Sequence, residues 1–346
     1  MTTLVAHPRA NSGPVEGWTE SELRPGNRVE AATSQRKGEV MCRLLAYAAP
    51  RETTVSEVIG AENAGAFQRM TTVHNDGWGT AWLAAGPGEP EPEVESLRVS
   101  TPGQHDPLLE SALTEDASTS RLVHLRLATD THKRTKVNTH PFLKEEFAFA
   151  HNGSIIPVEI FEELLRPESY GDVEGTTDSE LYFAFIRQEI RDLGGTVADG
   201  VVSAVQKLRA AFPVASLNAV VLTNEELIVV HANSTAYVND ATFRSYGVDP
   251  EALPIDHREY YYKLAMYQAA DGTTVFSSTG IDLAGWSRVP DDTITRVDLD
   301  TLELSQRKIF DSTQTATRLE PTALNDATIL ELAPRRERRN PYNWAI

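Results

Sequence analysis

The single cysteine of this 346-residue chain, Cys42, directly follows a methionine in the segment EVMCRLLAYAAP (39–50). A cysteine thiolate is a strong nucleophile, so Cys42 could form a covalent intermediate with a substrate. A free cysteine can equally be a small buried hydrophobic residue, and Cys42 taken alone allows both interpretations. The other polar segments of the chain therefore have to decide between them.

Five polar segments fall at expected strand ends or turns, where catalytic groups tend to lie. They are HNDGWG (74–79), VHLRLAT (123–129), NTHPF (138–142), AHNGS (150–154) and GTTDSE (175–180). Each also has a structural explanation. Asn, Asp and Gly favour tight turns, Arg126 could belong to an ion pair, and Asp178 could interact with the positive end of a helix. No segment by itself specifies a function.

The hydrophobic pattern predicts the elements that hold these segments. Apolar or alternating runs predict strands at 42–49, 78–85, 121–129, 146–151, 216–224, 226–233, 259–268, 273–279 and 293–299. Helices are predicted at 176–190, with a capping box from Thr177 to Glu180, and at about 196–212. A helix or loop is expected at 54–70, and an exposed loop at 86–95. Because the strands cluster early and late, we predict an α+β fold with antiparallel sheets.

Composition and charge exclude several classes of function. The formal net charge is −18, and residues 1–40 are balanced with five basic and five acidic residues, so the excess acid lies beyond them. Such a surface repels phosphate, and nucleic-acid binding is not expected. The apolar runs have strand length, so no membrane association is expected. The lone cysteine and an N-terminus without an apolar signal sequence favour a cytoplasmic location.

Taken together and in this order, Cys42 and the five segments resemble the glutaminase domain of class II glutamine amidotransferases, which are N-terminal-nucleophile (Ntn) hydrolases. MCRLLAY, HNDGWG and SSTGIDLAGWSRVP (277–290) are most similar to the stand-alone branch that includes the ergothioneine-pathway γ-glutamyl amidohydrolase. The resemblance covers residues 42–310 and implies a four-layer αββα sandwich of two antiparallel sheets. It also implies that a cysteine thioester mediates cleavage of the γ-amide of glutamine or a γ-glutamyl conjugate, without a cofactor.

The resemblance assigns roles residue by residue. Cys42 matches the nucleophile, Arg126 the group that binds the substrate α-carboxylate, and Asp178 the partner of its α-ammonium group. The remaining matches are Asn152 and Gly153, as oxyanion-hole donors, and Thr129 and His140, as pocket-lining residues. RLATDTH (126–132) departs from the His-Gly pair that follows the threonine in synthetase-linked relatives, so no role is assigned to Asp130 or His132.

The chemistry of a thiol nucleophile makes residues 1–41 important. A terminal α-amine is roughly 10% neutral at pH 7, whereas a lysine is under about 0.1% neutral. The amine of Cys42 is therefore the better base, provided that nothing precedes it. We expect residues 1–41 to be a disordered leader, either a propeptide or a mis-assigned start with Met41 as the true first residue. Residues 311–346 are expected to form a C-terminal tail.

Two other functions remain open at this point. His74, His124, His132, His140 and His151 could form a metal-dependent hydrolase, although no HxH or HxxxH pair is present. The domain could also be a catalytically inactive module that binds an amino acid or a partner chain. For the glutaminase reading, the substrate is a small molecule, and the ammonia could pass to a partner synthase.

Overall fold

The computed structural model describes residues 42–84, 92–128, 134–233, 238, 240–245, 249–252 and 261–310. The predicted leader at 1–41 and the predicted tail at 311–346 lie outside these residues. The strands are β1 (Arg43–Thr53), β2 (Trp78–Ala84), β3 (Glu93–Val99), β4 (Ser118–Leu125), β5 (Phe142–Lys144), β6 (Phe147–Asn152), β7 (Asn218–Leu222), β8 (Glu226–His231), β9 (Leu264–Gln268), β10 (Thr274–Ser278), β11 (Ser287–Arg288), β12 (Thr293–Asp298) and β13 (Leu304–Lys308). The helices are α1 (Val55–Ile59), α2 (Ala61–Arg69), α3 (Pro107–Thr114), α4 (Phe161–Leu164), α5 (Pro167–Tyr170), α6 (Asp178–Leu193), α7 (Val197–Ala211) and α8 (Asp240–Ser245).

The strands form two sheets in which every described pairing is antiparallel. The first sheet has the order β11-β9-β10-β1-β4-β2-β3, and the second has the order β13-β12-β8-β7-β6-β5. Strand β1 therefore lies in the interior of the first sheet, and β6 and β7 are neighbours inside the second. The α+β prediction with antiparallel sheets is confirmed.

Side-chain alternation shows how the sheets are layered. In β1, Leu44, Ala46 and Ala48 belong to an apolar cluster that also contains Ala148, Val220 and Val229 of the second sheet. The intervening residues of β1 pack in a different cluster together with α1, α2 and α3. Because successive side chains of a strand point to opposite faces, one face of β1 meets the other sheet and one face meets helices.

The second sheet is covered in the same way on its outer side. Ala219 and Val221 of β7 pack in a cluster with Val201, Val205 and other residues of α6 and α7. Val220 and Leu222, the intervening residues, face the first sheet. The layers therefore run helices, sheet, sheet, helices, which is the four-layer αββα sandwich that the resemblance implied.

Several element boundaries differ from the sequence prediction. The expected exposed loop at 86–95 overlaps strand β3, whose residues Glu93–Val99 pair with β2. The four glutamates and three prolines of residues 86–95 hid the strand, and within β3 only Val94 is buried. A strand was predicted at 259–268. Within the described part of this range, only β9 (Leu264–Gln268) is a strand. The two long helices begin and end within three residues of the predicted positions.

The helices also bear on the question of membrane crossing. Within the described ranges, no helix combines the length and the apolar composition that a bilayer span needs.

Candidate active site

Cys42 lies immediately before β1, between the two sheets. The β1–β4 register pairs Leu44 with His124 and Arg43 with Leu125, and one further step places Cys42 opposite Arg126. By the same alternation, Cys42 shares the face of Leu44, which looks toward the second sheet. The Cys42 residue is fully buried, and its Sγ lies 3.9 Å from the carbonyl oxygen of Leu127.

Burial controls the ionisation of this thiol. Loss of water raises the pKa of Cys42 to about 12, and the charge of Asp178 acts in the same direction. The hydrogen bond to Leu127 and the positive charges of Arg126 and Arg43 lower the pKa but do not offset burial. With a pKa of about 12, only about one thiol in 10⁵ is ionised at pH 7. Cys42 therefore needs a nearby base to act as a nucleophile.

Asn152, the last residue of β6, reaches the nucleophile from the opposite sheet. Its Oδ1 accepts a hydrogen bond from the Cys42 backbone N–H at 3.1 Å. Its Nδ2 is buried and has no hydrogen-bond partner in the part of the chain that the structure describes. An unpaired buried donor is costly in a folded protein. The Asn152 carboxamide is therefore held at one end, with a free donor at the other end next to Cys42.

Gly153 follows Asn152 at a point where the backbone passes very close to its neighbours. A Cβ atom at position 153 would lie 2.1 Å from the Ser216 carbonyl oxygen and 2.5 Å from Nε2 of His151. No side chain fits between these atoms, so glycine is required at this position. The Ser216 hydroxyl donates to the Asn152 carbonyl oxygen at 2.8 Å, which ties the same turn to the segment two residues before β7.

Arg126 follows β4 and is 3% exposed. Its backbone exchanges hydrogen bonds with the HNDG turn: Asp76 N donates to Arg126 O at 3.0 Å, and Arg126 N donates to Gly77 O at 2.9 Å. Its guanidinium donates to the Asp76 carbonyl oxygen at 3.3 Å. Burial lowers the pKa of Arg126, while the charges of Cys42, Asp76 and Asp178 raise it. Among the described residues Arg126 has no ion-pair partner within 4 Å.

The Asp76 carboxylate is occupied by other groups. Its Oδ2 accepts the backbone N–H of Ala128 at 2.7 Å, and its Oδ1 lies 2.5 Å from Nε of Arg134. The HNDG turn therefore has a structural function, which is to fix the backbone on both sides of Arg126. The sequence had indicated the segment but not this function.

Asp178 begins α6 and is 1% exposed. The N-cap is Thr177, whose hydroxyl accepts from the Glu180 N–H. Asp178 Oδ2 accepts the backbone N–H of Ile155 at 2.6 Å, which fixes the carboxylate beside the AHNGS turn. Arg126 follows the strand paired with β1, and Asp178 is bonded to the turn that follows Asn152, whose amide contacts Cys42. The charges of both residues act on the pKa of Cys42.

The predicted capping box at this helix is only half present. Thr177 accepts from the backbone of Glu180, as expected, but the Glu180 carboxylate does not return to Thr177. It accepts instead from the backbone N–H groups of Glu174 and Gly175. The four-residue pattern correctly predicted the helix start, but it could not reveal this longer contact.

Two buried histidines, His124 and His151, connect the two sheets beside the site. His151 Nε2 donates to the Ser216 carbonyl at 2.8 Å, so its Nδ1 is the acceptor for the Ser179 hydroxyl at 2.9 Å. His124 Nε2 donates to the His151 carbonyl at 3.2 Å. Burial lowers the pKa of His124 to about 3 and also lowers the pKa of His151. Both residues are therefore neutral, and they link β4, β6 and α6.

His140, predicted to line the pocket, packs against His124 in a tilted arrangement, with 4.3 Å between ring centroids and 41° between the ring planes. It is 3% exposed, and within the described chain neither ring nitrogen has a hydrogen-bond partner. Burial keeps its pKa well below the ordinary value. Thr129, the other predicted lining residue, lies outside the described residues, as do Asp130 and His132.

The sequence analysis missed Arg43, which follows the nucleophile directly. Its guanidinium is fully buried, lies 3.6 Å from the ring centroid of Tyr261, and donates to the carbonyl and hydroxyl oxygens of Thr279. The Tyr261 hydroxyl in turn lies 3.5 Å from the Cys42 carbonyl oxygen. Arg43 thus ties the start of β1 to two distant segments. An arginine inside an apolar strand was the signal that could have identified it.

The alternative function, a metal-dependent hydrolase, would need several ligand side chains close together. Among the residues that the structure describes, no three His, Cys, Asp or Glu side chains are arranged to hold a metal ion. His132, one of the five proposed ligands, lies outside these residues.

Comparisons with known proteins identify the family. Residues 41–286 match the family described as glutamine amidotransferases class-II. This match covers more than half of the chain, which therefore belongs to the class II glutamine amidotransferases. The activity of this family is hydrolysis of the amide of glutamine. A comparison with curated protein sequences gave no significant match.

Solved structures are similar to this chain at low sequence identity. The allosteric regulatory enzyme of purine biosynthesis is 15% identical, with a TM-score of 0.50; the match covers 78% of this chain and 49% of that one. The glutamine phosphoribosylpyrophosphate amidotransferase of B. subtilis is 14% identical over 78% and 49%, with a TM-score of 0.47. A glutamine aminotransferase class-II domain protein from Silicibacter pomeroyi is 19% identical over 78% and 100%, with a TM-score of 0.49. The chain thus spans about half the length of the two purine-related enzymes.

Proposed function

We propose that this protein hydrolyses a γ-glutamyl amide through a thioester on Cys42. The observation that supports this most directly is the Asn152 carboxamide. One end of it is fixed by the Cys42 N–H, and the other end is a buried donor without a partner in the described chain. The oxyanion that forms when a thiolate attacks an amide carbonyl needs a donor of this kind. Gly153 N–H is the proposed second donor.

In this mechanism the substrate is bound by its zwitterionic end. Arg126 binds the α-carboxylate, for which a guanidinium offers two parallel N–H donors. Asp178 binds the α-ammonium group. Both side chains are buried at the same site as Cys42, which supports the proposal. Thr129 and His140 remain proposed lining residues of the pocket.

We propose that the α-amine of Cys42 is the base. The buried thiol has a pKa of about 12, so it must lose its proton to a group close by. A free α-amine at Cys42 would occupy the place of the present N–H, beside Asn152 Oδ1. With residues 1–41 attached, the nitrogen is an amide and cannot accept a proton. The active form therefore begins at Cys42, and residues 42–310 form the glutaminase domain.

The substrate is proposed to be either free glutamine, with ammonia passed to a partner synthase, or a γ-glutamyl conjugate. The phrases that resemble the stand-alone branch favour the conjugate. In both cases the tetrahedral intermediate collapses to the thioester as the C–N bond breaks, and the leaving amine takes the proton that the α-amine of Cys42 had removed from the thiol. Water then attacks the thioester and releases glutamate and the free thiol.

The test uses the full chain with a cleavage site for a sequence-specific protease placed directly before Cys42. Release of ammonia from glutamine, and of amine from a panel of γ-glutamyl amides, is measured on one preparation before and after the cut. We expect turnover only after the cut, and a γ-glutamyl enzyme adduct on Cys42 by mass spectrometry. Equal turnover in the uncut chain would refute the role of the amine.

A further inference from the structure

The segment that precedes α6, Glu174–Thr177, is held by a buried carboxylate that the proposed reaction does not use. Glu180 is 5% exposed, and its Oε1 and Oε2 accept the backbone N–H groups of Glu174 at 2.9 Å and Gly175 at 2.7 Å. Among the described residues, Glu180 has no ion-pair partner within 4 Å. Burying a carboxylate is unfavourable unless hydrogen bonds compensate, and these two bonds provide the compensation.

A second buried side chain holds the rest of the segment. Asn138 Oδ1 accepts the Thr176 backbone N–H at 2.9 Å, and Asn138 Nδ2 donates to the Thr176 hydroxyl at 3.1 Å. Thr177 accepts the Glu180 N–H through its hydroxyl at 3.2 Å. Every residue from Glu174 to Thr177 is therefore bonded to Glu180 or to Asn138.

The backbone of the segment approaches both of these side chains closely at Gly175. A Cβ atom at Gly175 would lie 2.3 Å from Asn138 Oδ1 and 2.8 Å from Glu180 Oε2. The backbone at Gly175 is thus in direct contact with both acceptors. Because Asp178 is only three residues further along, the position of its carboxylate depends on this contact.

An ordinary capping role does not account for Glu180. A glutamate at the third helical position usually accepts from the N-cap N–H, and Glu180 instead accepts from residues two and three positions before Thr177. Asp178 is anchored on its other side by the Ile155 N–H. The carboxylate of Asp178 is therefore fixed between the AHNGS turn and the segment that Glu180 holds.

We propose that Glu180 is a positioning residue: by holding the N–H groups of Glu174 and Gly175, it sets the position of Asp178 and thereby the affinity of the site for the α-ammonium group of the substrate. This inference rests on the proposed function, in which Asp178 contacts that group. Cys42, Asn152 and Arg126 are held by other elements. Loss of the Glu180 contacts should therefore weaken recognition of the ammonium group without changing the reactivity of the thiol.

The experiment compares two electrophiles that react with Cys42 in the cut full chain. A diazo-ketone analogue of glutamine carries the α-ammonium group, and iodoacetamide does not. In Glu180→Gln one acceptor oxygen becomes an amide NH₂, so one of the two bonds is lost. We expect the labelling rate with the glutamine analogue to fall about tenfold, which corresponds to one hydrogen bond to a charged group. The iodoacetamide rate should stay unchanged.

Glu189→Gln is the matched control. Glu189 is also a buried carboxylate of α6, at 2% exposure, but it binds Lys207 and Ser203 on the far side of the helix. We expect this variant to keep the wild-type ratio of the two rates. Glu180→Asp retains both acceptor oxygens on a shorter stem and should recover part of the lost ratio. It also provides the measurement if Glu180→Gln does not fold.

The outcomes separate this inference from the function on which it rests. Wild-type protein without preference for the glutamine analogue would overturn both. A wild-type preference that Glu180→Gln leaves intact would overturn the positioning role alone. An equal fall in both rates would also overturn it, because the effect would then be a general loss of structure.

Discussion

Buried polar groups differ in their pairing between the active-site end of the sandwich and the outer face of α6 and α7. On the helical face, Glu189 is bonded to Lys207 and Ser203, and Arg187 pairs with Asp172 at 2.5 Å. At the site, in the described chain, Asn152 Nδ2 and both ring nitrogens of His140 lack partners. An unpaired buried group costs about 1–3 kcal/mol. We therefore propose that a bound substrate completes the bonds of these groups.

Two asparagines show the same contrast at close range. Asn152 and Asn218 face each other across β6 and β7, and both are fully buried. Asn218 uses both ends of its carboxamide: Oδ1 accepts from Ala232 N at 2.8 Å, and Nδ2 donates to Tyr262 O at 2.5 Å. Asn152 uses only Oδ1 within the described residues. Identical residue types at paired positions thus differ in how many of their amide groups are hydrogen-bonded within the described residues.

The largest expected effect comes from the nucleophile. Cys42→Ala should lower amide hydrolysis by roughly 10⁴-fold or more, because no other thiol exists in the chain. Binding of substrate, measured by calorimetry on the cut protein, should be largely retained. Turnover close to wild type would show that another residue attacks the amide. The surroundings of Cys42 could then no longer be compared with the helical face as the active site.

The paired asparagines provide the next test. Asn152→Ala should lower kcat by about 10²–10³-fold, as expected for loss of one oxyanion donor. Asn218→Ala removes two structural hydrogen bonds and should chiefly lower the unfolding free energy, by about 1–3 kcal/mol for each group left unpaired. Steady-state kinetics and urea denaturation are measured on both variants. Equal losses of kcat would break the distinction between the two residues.

Arg126→Ala should raise KM about 10- to 100-fold with little change in kcat, because the guanidinium binds a part of the substrate remote from the reacting bond. The control is Arg134→Ala, which removes another cation close to Asp76. Arg134 is 67% exposed in its side chain, so its replacement should change KM by less than about threefold. An unchanged KM in Arg126→Ala would place the substrate carboxylate elsewhere.

The smallest effect concerns stability at acidic pH. The pKa of His124 is lowered to about 3 in the folded protein, against about 6.5 when unfolded. The unfolded chain therefore binds the proton first, and stability should fall as pH decreases from 6.5 toward 3, by about 1.4 kcal/mol per pH unit for this residue. His124→Phe should reduce that slope in urea titrations at pH 7, 6 and 5. Replacing the exposed His105 should leave it unchanged, and an equal slope in His124→Phe would show that His124 is not buried in neutral form.

Much of the fold could be predicted because its signals are local. The apolar run LNAVVL predicted β7, and the cap predicted at Thr177 is the N-cap of α6, which begins two residues after the predicted start. Strand β3 was missed because its charged residues lie at a sheet edge, where half of the side chains contact water. Arg43 and Glu180 were missed as site residues because each depends on where distant segments pass.

The sequence by itself determined the period-two alternation of the strands, the helix starts, and the order of the polar segments that identify the family. These properties depend on neighbours within a few residues. The tertiary structure alone decided that Asn152, 110 positions from Cys42, contacts the nucleophile with one end of its amide. It also decided which buried charged groups have an ion-pair partner and which have none among the described residues. The physical reason is that hydrogen-bond partners and loss of water depend on which distant segments pack together, and no local pattern encodes this.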